Sequence, residues 1–214
     1  MGLMSTRKST LRKNGIARRH QLLHAARTLL ESRDLDQISL GEVAAEANIP
    51  KGSAYHFYGD IKDLYASLVD EMEQELLAAL DAPIRQRVRQ WQDIVALLNE
   101  RGVAFFSASR ASTQLQIGPK VPTDLKLRDR QNDAAVGRIY ESHIDRVFEL
   151  PQIPARATIF FRAVEIADLM FSLSVLEHGS ITPEMSQEAS RAMCAYLRCY
   201  IPEKLPRRAV KRKA

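Results

Sequence analysis

The sequence predicts an all-α protein, and three observations carry that prediction. Apolar residues recur at three- and four-residue spacing along most of the chain, and no stretch alternates apolar with polar residues as a half-buried strand does. Capping residues, glycines and prolines separate the periodic segments. Within that class the expected layout is an N-terminal three-helix helix–turn–helix head, a long linking helix and a C-terminal helical body.

Residues 1–13 are expected to be a disordered basic arm. Asn14 caps a first helix running to about Arg33, with Ile16, Leu22, Leu23, Ala26, Leu29 and Leu30 on one stripe and Arg18, Arg19, His24, Arg27 and Glu31 opposite. After Asp34–Gln37, Ser39 and Glu42 have the spacing of a capping box, with Ile38 and Val43 as its hydrophobic staple. Leu40, Val43, Ala44 and Ala47 make the apolar face of this short helix. Asn48 tolerates the left-handed conformation that ends a helix, and Pro50 suits the first turn of the next. That next helix is unusual, because Lys51, Gly52, Ser53, Tyr55 and His56 are polar, small or polar-tipped and only Ala54 and Phe57 can anchor it. A short helix that spends its face on donors is built to touch something. Two short helices joined by a tight turn, the second rich in donors, form a DNA-reading arrangement.

Gly59 and Asp60 stop one helix and cap another, from Ile61 to about Ala82, apolar at Ile61, Leu64, Leu68, Met72 and Leu76 and acidic on its other side. At 1.5 Å per residue it spans about 30 Å, long enough to join the head to a second body. Pro83 ends it. Helices are then expected at about 84–100 and 103–115, interrupted at Gly102, and from Thr123 to about Leu150 after a loop over Gly118–Pro122. The segment 155–178 is apolar nearly all round, and Thr182-Pro183-Glu184 starts a last helix to about Tyr200. The domains read as a head at 14–58, a body at 59–202 and a disordered basic tail at 203–214. A helix apolar on every side must be covered on every side. The helices at about 155–178 and 183–200 are therefore the candidate homodimer surface, a wholly internal helix being the alternative.

Charge placement says more than the net charge of +5 on 214 residues. Arg7, Lys8, Arg12, Lys13, Arg18, Arg19 and Arg27 all precede the first acidic residue, Glu31. Beside a helix–turn–helix they point towards DNA phosphates, with Arg18 as a candidate contact. Lys204, Arg207, Arg208, Lys211, Arg212 and Lys213 form a second cluster, read either as a phosphate contact or as a solvated tail. No apolar run is long enough to span a bilayer and no apolar stretch follows the basic start, so no membrane partner and a cytoplasmic location are expected. Cys194 and Cys199 fall on different helix faces without a histidine at metal spacing, and are expected to be two buried thiols rather than a zinc site. No nucleophile elbow, phosphate-cradling glycine loop or metal spacing occurs, so neither an enzyme nor a cofactor is expected. Asp70, Glu71 and Glu73 read as a solvated helix face.

The order Ser39, Val43-Ala44, Ala47-Asn48-Ile49, Lys51-Gly52-Ser53, Tyr55-His56-Phe57-Tyr58 and Lys62-Asp63-Leu64 resembles the tetracycline-repressor-like (TetR) bacterial regulators, over about residues 14–68 and not beyond. The resemblance implies that Lys51, Gly52 and Ser53 approach bases, that Tyr55 and His56 contact phosphates, and that Ser39 sits where the second helix meets the DNA backbone. Some positions depart from the family pattern. Gly41 replaces a side chain that reaches a base in some members, Ile61 stands where a phosphate-binding lysine is usual, with Lys62 next door as its candidate substitute, and Phe57-Tyr58 reverses the usual aromatic order. Asn48 and Pro50 replace a glycine and a serine. The resemblance also implies that the last two helices of two subunits pair into a four-helix bundle, and that the body holds a small-molecule pocket. Trp91, Phe105, Phe106, Tyr140, His143, Phe161, Arg162 and Glu165 are the candidate lining, though core packing explains the aromatics equally well. The expected effector is largely apolar with one acidic or hydrogen-bonding group. The function so implied is a homodimeric transcriptional regulator of double-stranded DNA, a repressor on a palindromic operator released by that effector. The alternative is an effector-independent architectural or adaptor protein.

Overall fold

In a computed structural model the chain is described over residues 3–209, with side chains from residue 14 onward except at 129, 131 and 132. Helices are the regular elements of the described residues, whose only strand-like pairing is an isolated antiparallel bridge between Phe148 and Arg207. No helix among them is long and apolar enough to cross a membrane. The chain divides into two compact units, Met1–Glu71 and Met72–Ala214.

The first unit contains α1 (Leu3–Leu30), α2 (Leu40–Glu46), α3 (Lys51–Phe57) and the start of α4 (Ile61–Asp81). Leu22, Leu23, Ala26 and Leu30 of α1, Leu40, Val43 and Ala44 of α2, Ala54 of α3 and Leu64, Tyr65 and Leu68 of α4 are all buried. The link between α1 and α2 is one tight turn, Leu35–Gln37. The Tyr65 hydroxyl donates to the Leu35 carbonyl at 3.1 Å, and burial pushes that phenol up to about 12. Two expectations are corrected. The first helix begins at Leu3, so residues 3–13 continue α1 instead of forming a disordered arm. No proline or glycine stands between Leu3 and Asn14, and Lys, Arg, Leu and Met are good helix formers. Ile16, placed on the apolar stripe by periodicity, is 52% exposed.

The second unit contains the end of α4, α5 (Trp91–Ala108), the single turn α6 (Arg110–Ser112), a wider turn at Thr113–Ile117, α7 (Thr123–Val147), α8 (Arg156–His178) and α9 (Pro183–Leu197). Helix α8 packs against both α7 and α9. It approaches α7 so closely at Gly137 that an added Cβ would stand 2.9 Å from the Phe161 backbone nitrogen. Only glycine fits that crossing. At the other end, Thr182 caps α9 by accepting from the Met185 N–H, as the sequence predicts.

Four corrections concern this unit. Residues 84–90 are not helical. The Asp93 carboxylate accepts from the backbone N–H of Arg89 at 2.7 Å and of Gln90 at 3.3 Å, which fixes the start of α5 at Trp91. Gly102 does not interrupt the helix. It is buried inside α5 beside the Phe171 ring, and tertiary packing overrides a propensity cost of about 1 kcal/mol. The basic tail is not free as far as residue 209, for reasons of backbone pairing. The Glu149 N–H donates to Pro206 O, the Arg208 N–H donates to Val147 O at 2.9 Å, and the Arg207 guanidinium donates to Val88 O while lying over the Phe148 ring. Arg208 pairs with Asp145 at 2.6 Å, and Lys211, Arg212 and Lys213 lie outside the described residues. Lastly, Cys194 is buried but Cys199 is exposed, because it lies past the end of α9 at Leu197 and off the buried face that Met193, Cys194 and Leu197 form.

Candidate functional site

In the first unit the site starts at the cap of α2. The Ser39 hydroxyl accepts from the Glu42 N–H at 3.3 Å, and the Glu42 carboxylate accepts from the Ser39 N–H at 2.9 Å and hydroxyl at 2.8 Å. Arg33 donates to the same carboxylate at 2.9 Å. The hydrogen bonds from Ser39, with the Arg33 contact behind them, hold the Glu42 carboxyl down to about 2. The chain then turns through Asn48, at φ 52°, which frees it to re-enter a helix at Lys51.

On α3, Lys51, Gly52, Tyr55 and His56 are exposed, Ser53 is half-buried and Ala54 is fully buried. This division into donors outside and an alanine inside is the one the sequence predicts. Lys51 is held between two neighbours. Its Cε lies 3.2 Å from where a Cβ of residue 41 would stand, so Gly41 provides the floor its stem crosses. Its ammonium sits 5.9 Å from the centroid of the Tyr55 ring, itself 47% exposed. Gly41 is thus more than a missing contact, which sequence reasoning did not see. The Phe57-Tyr58 order also has a packing reason: Tyr58 is buried, and the Arg19 guanidinium lies 5.7 Å and 6.0 Å from the two ring centroids. Arg18 and Lys62 are exposed on α1 and α4, while Ile61 is half-buried.

In the second unit a cavity of about 50 Å³ is lined by Glu73, Leu76 and Leu80 of α4, Asn99, Gly102 and Phe106 of α5, Gln116, then Asp133, Val136 and Tyr140 of α7 and Val164, Ala167, Asp168 and Phe171 of α8. Of the eight lining candidates read from the sequence, Phe106 and Tyr140 are on this wall and the other six are not. Trp91 is wholly buried and donates its indole N–H to Pro202 O. His143 is buried with its Nε2 3.1 Å from Leu80 O, and burial pushes its pKa down. Glu165 pairs with Arg130 at 3.1 Å, Arg162 is exposed, and Phe105 and Phe161 are half-buried. Sequence reasoning missed the polar members of the wall. Glu73, expected on a solvated face, is 2% exposed, and Asn99, which accepts from the Tyr140 hydroxyl at 2.7 Å, is 1% exposed. A helix-face argument would have found Glu73, since it lies one position after Met72 and three before Leu76.

A capped α2, a left-handed asparagine and a donor-faced α3 define a helix–turn–helix DNA-binding domain. Residues 22–68 match the family model described as bacterial regulatory proteins, tetR family. The fold extends the likeness over most of the chain. A TetR-family transcriptional regulator from Streptomyces coelicolor superposes with a TM-score of 0.65 at 18% identity, covering 86% of this chain and 97% of that one. One from Pectobacterium atrosepticum gives 0.62 at 19% identity, over 90% and 98%. SmeT, the repressor of a Stenotrophomonas maltophilia multidrug efflux pump, gives 0.59 at 13% identity, over 86% and 91%. No curated protein matches the sequence.

Proposed function

We propose that this protein is a cytoplasmic, homodimeric transcriptional repressor that binds a palindromic operator and is released by a small effector held in the body cavity. The exposed donor face of α3 carries this reading. Lys51 reads a base edge, Gly52 and Ser53 let the helix approach the groove, and Tyr55 and His56 grip phosphates. Ser39 engages the backbone at the start of α2, with Arg18 and Lys62 as flanking phosphate contacts. The second copy docks on α8 and α9: Leu169 and Leu176, seven residues apart on one face of α8, are 55% and 61% exposed. Two-fold symmetry then requires half-sites about 34 to 36 Å apart, or a multiple. Support for an effector site comes from α4, whose single run from Ile61 to Asp81 supplies Glu73, Leu76 and Leu80 to the cavity wall.

The test is recovery of fragmented genomic DNA on the purified protein at physiological salt, followed by sequencing. One inverted repeat near a promoter is the expected result. Recovery without a shared motif, falling steeply with salt, would replace this reading with the architectural one.

A further inference from the structure

The wall of the body cavity has a chemical bias. Three of its side chains bear carboxyl groups, Glu73, Asp133 and Asp168, and among the described residues none of the lining side chains is cationic. Glu73 is 2% and Asp133 9% exposed, positions at which acidic residues are uncommon because burying charge is costly. Gln116 adds an independent sign. It is 2% exposed, and its Oε1 is buried without a hydrogen-bond partner among the described residues. An amide oxygen so placed calls for a donor. The Tyr140 hydroxyl, one of the few donors on the wall, is already given to Asn99.

The cations nearest Asp168 lie off the lining. Arg130 is paired with Glu165, and Lys126 and Arg130 pull the Asp168 carboxyl down less than burial and Glu165 push it up, leaving it at about 6. The remaining wall is apolar, with the rings of Phe106 and Phe171. A volume of about 50 Å³ receives a charged head and its first carbons rather than a whole drug-sized molecule.

We propose that the effector is an amphipathic organic cation, an alkyl- or arylammonium whose nitrogen sits among Glu73, Asp133 and Asp168 and donates towards Gln116, with its first carbons against Phe106 and Phe171. This rests on the cavity being the effector site, and of the sequence-based expectation of a largely apolar ligand with one acidic or hydrogen-bonding group it keeps the hydrogen-bonding group and drops the acidic one. The carboxylates supply the attraction in a poorly hydrated setting, and the rings favour the cation further.

The test uses the full chain and two matched sets of probes at pH 7.5: phenethylammonium, 2-phenylethanol and phenylacetate, and octylammonium, octanol and octanoate. Isothermal titration should show each ammonium binding at least tenfold tighter than its alcohol, with the anion weakest. Asp168→Asn and Glu73→Gln should each cut that ammonium-to-alcohol ratio several-fold, in protein shown to be folded by Trp91 fluorescence. Alcohols or acids binding as well as the amines would overturn the cation class and leave the cavity reading standing. A ratio unchanged in both variants would overturn the assigned location. If none of the six probes binds or alters DNA affinity, the effector site itself is misplaced and the inference falls with it.

Discussion

Replacing Asp168 by Asn removes one ionisable carboxyl from the cavity wall while keeping its size. Burial, reinforced by Glu165, raises the folded pKa from 3.8 to about 6. A carboxyl raised on folding contributes stability that is fully present below the unfolded pKa and lost as pH rises through the folded one. The wild-type protein should therefore lose stability from Asp168 between about pH 4 and 6. At 1.36 kcal/mol per pKa unit the loss amounts to about 3 kcal/mol at most. The Asn variant, with nothing to ionise there, escapes it. Relative to wild type, it should gain about 2–3 kcal/mol on moving from pH 4 to pH 7.5, or about 2–4 °C of melting temperature per kcal/mol. The His143 imidazole, whose pKa burial depresses, destabilises the fold as pH falls. It does so in both proteins and cancels in the difference. Trp91 is the only tryptophan and is wholly buried in the second unit, so its fluorescence during urea unfolding reports that unit alone. A difference between variant and wild type that is flat from pH 4 to 7.5 would refute the reasoning.

Further outcomes are expected on the DNA face and at the tail. Lys51→Ala should change base preference at one position per half-site by about 1–3 kcal/mol, read by a binding-site selection profile. Gly41→Ala should disturb preference at that same position without lowering stability, since the added Cβ meets the Lys51 stem at 3.2 Å and alanine is the better helix former; an unaltered profile would show that the floor under Lys51 does not matter. Tyr55→Ala should weaken binding to every DNA sequence while leaving the oligomeric state intact, measured by titration on specific and random duplexes. Ending the chain after Glu203 should cost the body about 3 kcal/mol, from the hydrogen bonds of Pro206, Arg207 and Arg208 at about 1 kcal/mol each. A truncated protein of full stability but reduced DNA affinity would make the tail a DNA arm instead.

Much of the head was legible because its signals are local. The Ser39–Glu42 box, the left-handed Asn48 and the division of α3 into an inner Ala54 and an outer Lys51, Gly52, Tyr55 and His56 depend on residues within a few positions of one another. Hydrogen bonds between i and i+3, backbone conformational limits and the 3.6-residue period set them almost independently of the rest of the chain. The all-helical class followed for the same reason.

Other features were decided by what the tertiary fold brings alongside. Periodicity puts Glu73 near the apolar side of α4, yet only packing by α5, α7 and α8 turns that position into a buried cavity wall. Gly102 reads as a breaker until Phe171 lies beside it, and Arg207 and Arg208 read as a solvated tail until Val88, Phe148 and Asp145 meet them. The Gly41–Lys51 contact joins two helices across the turn, so neither residue signals it alone. The sequence by itself determined the helices, their caps and the donor face. Which polar groups lost their water was settled by the tertiary structure, because desolvation depends on every surface that closes over a group and not on its neighbours in the chain.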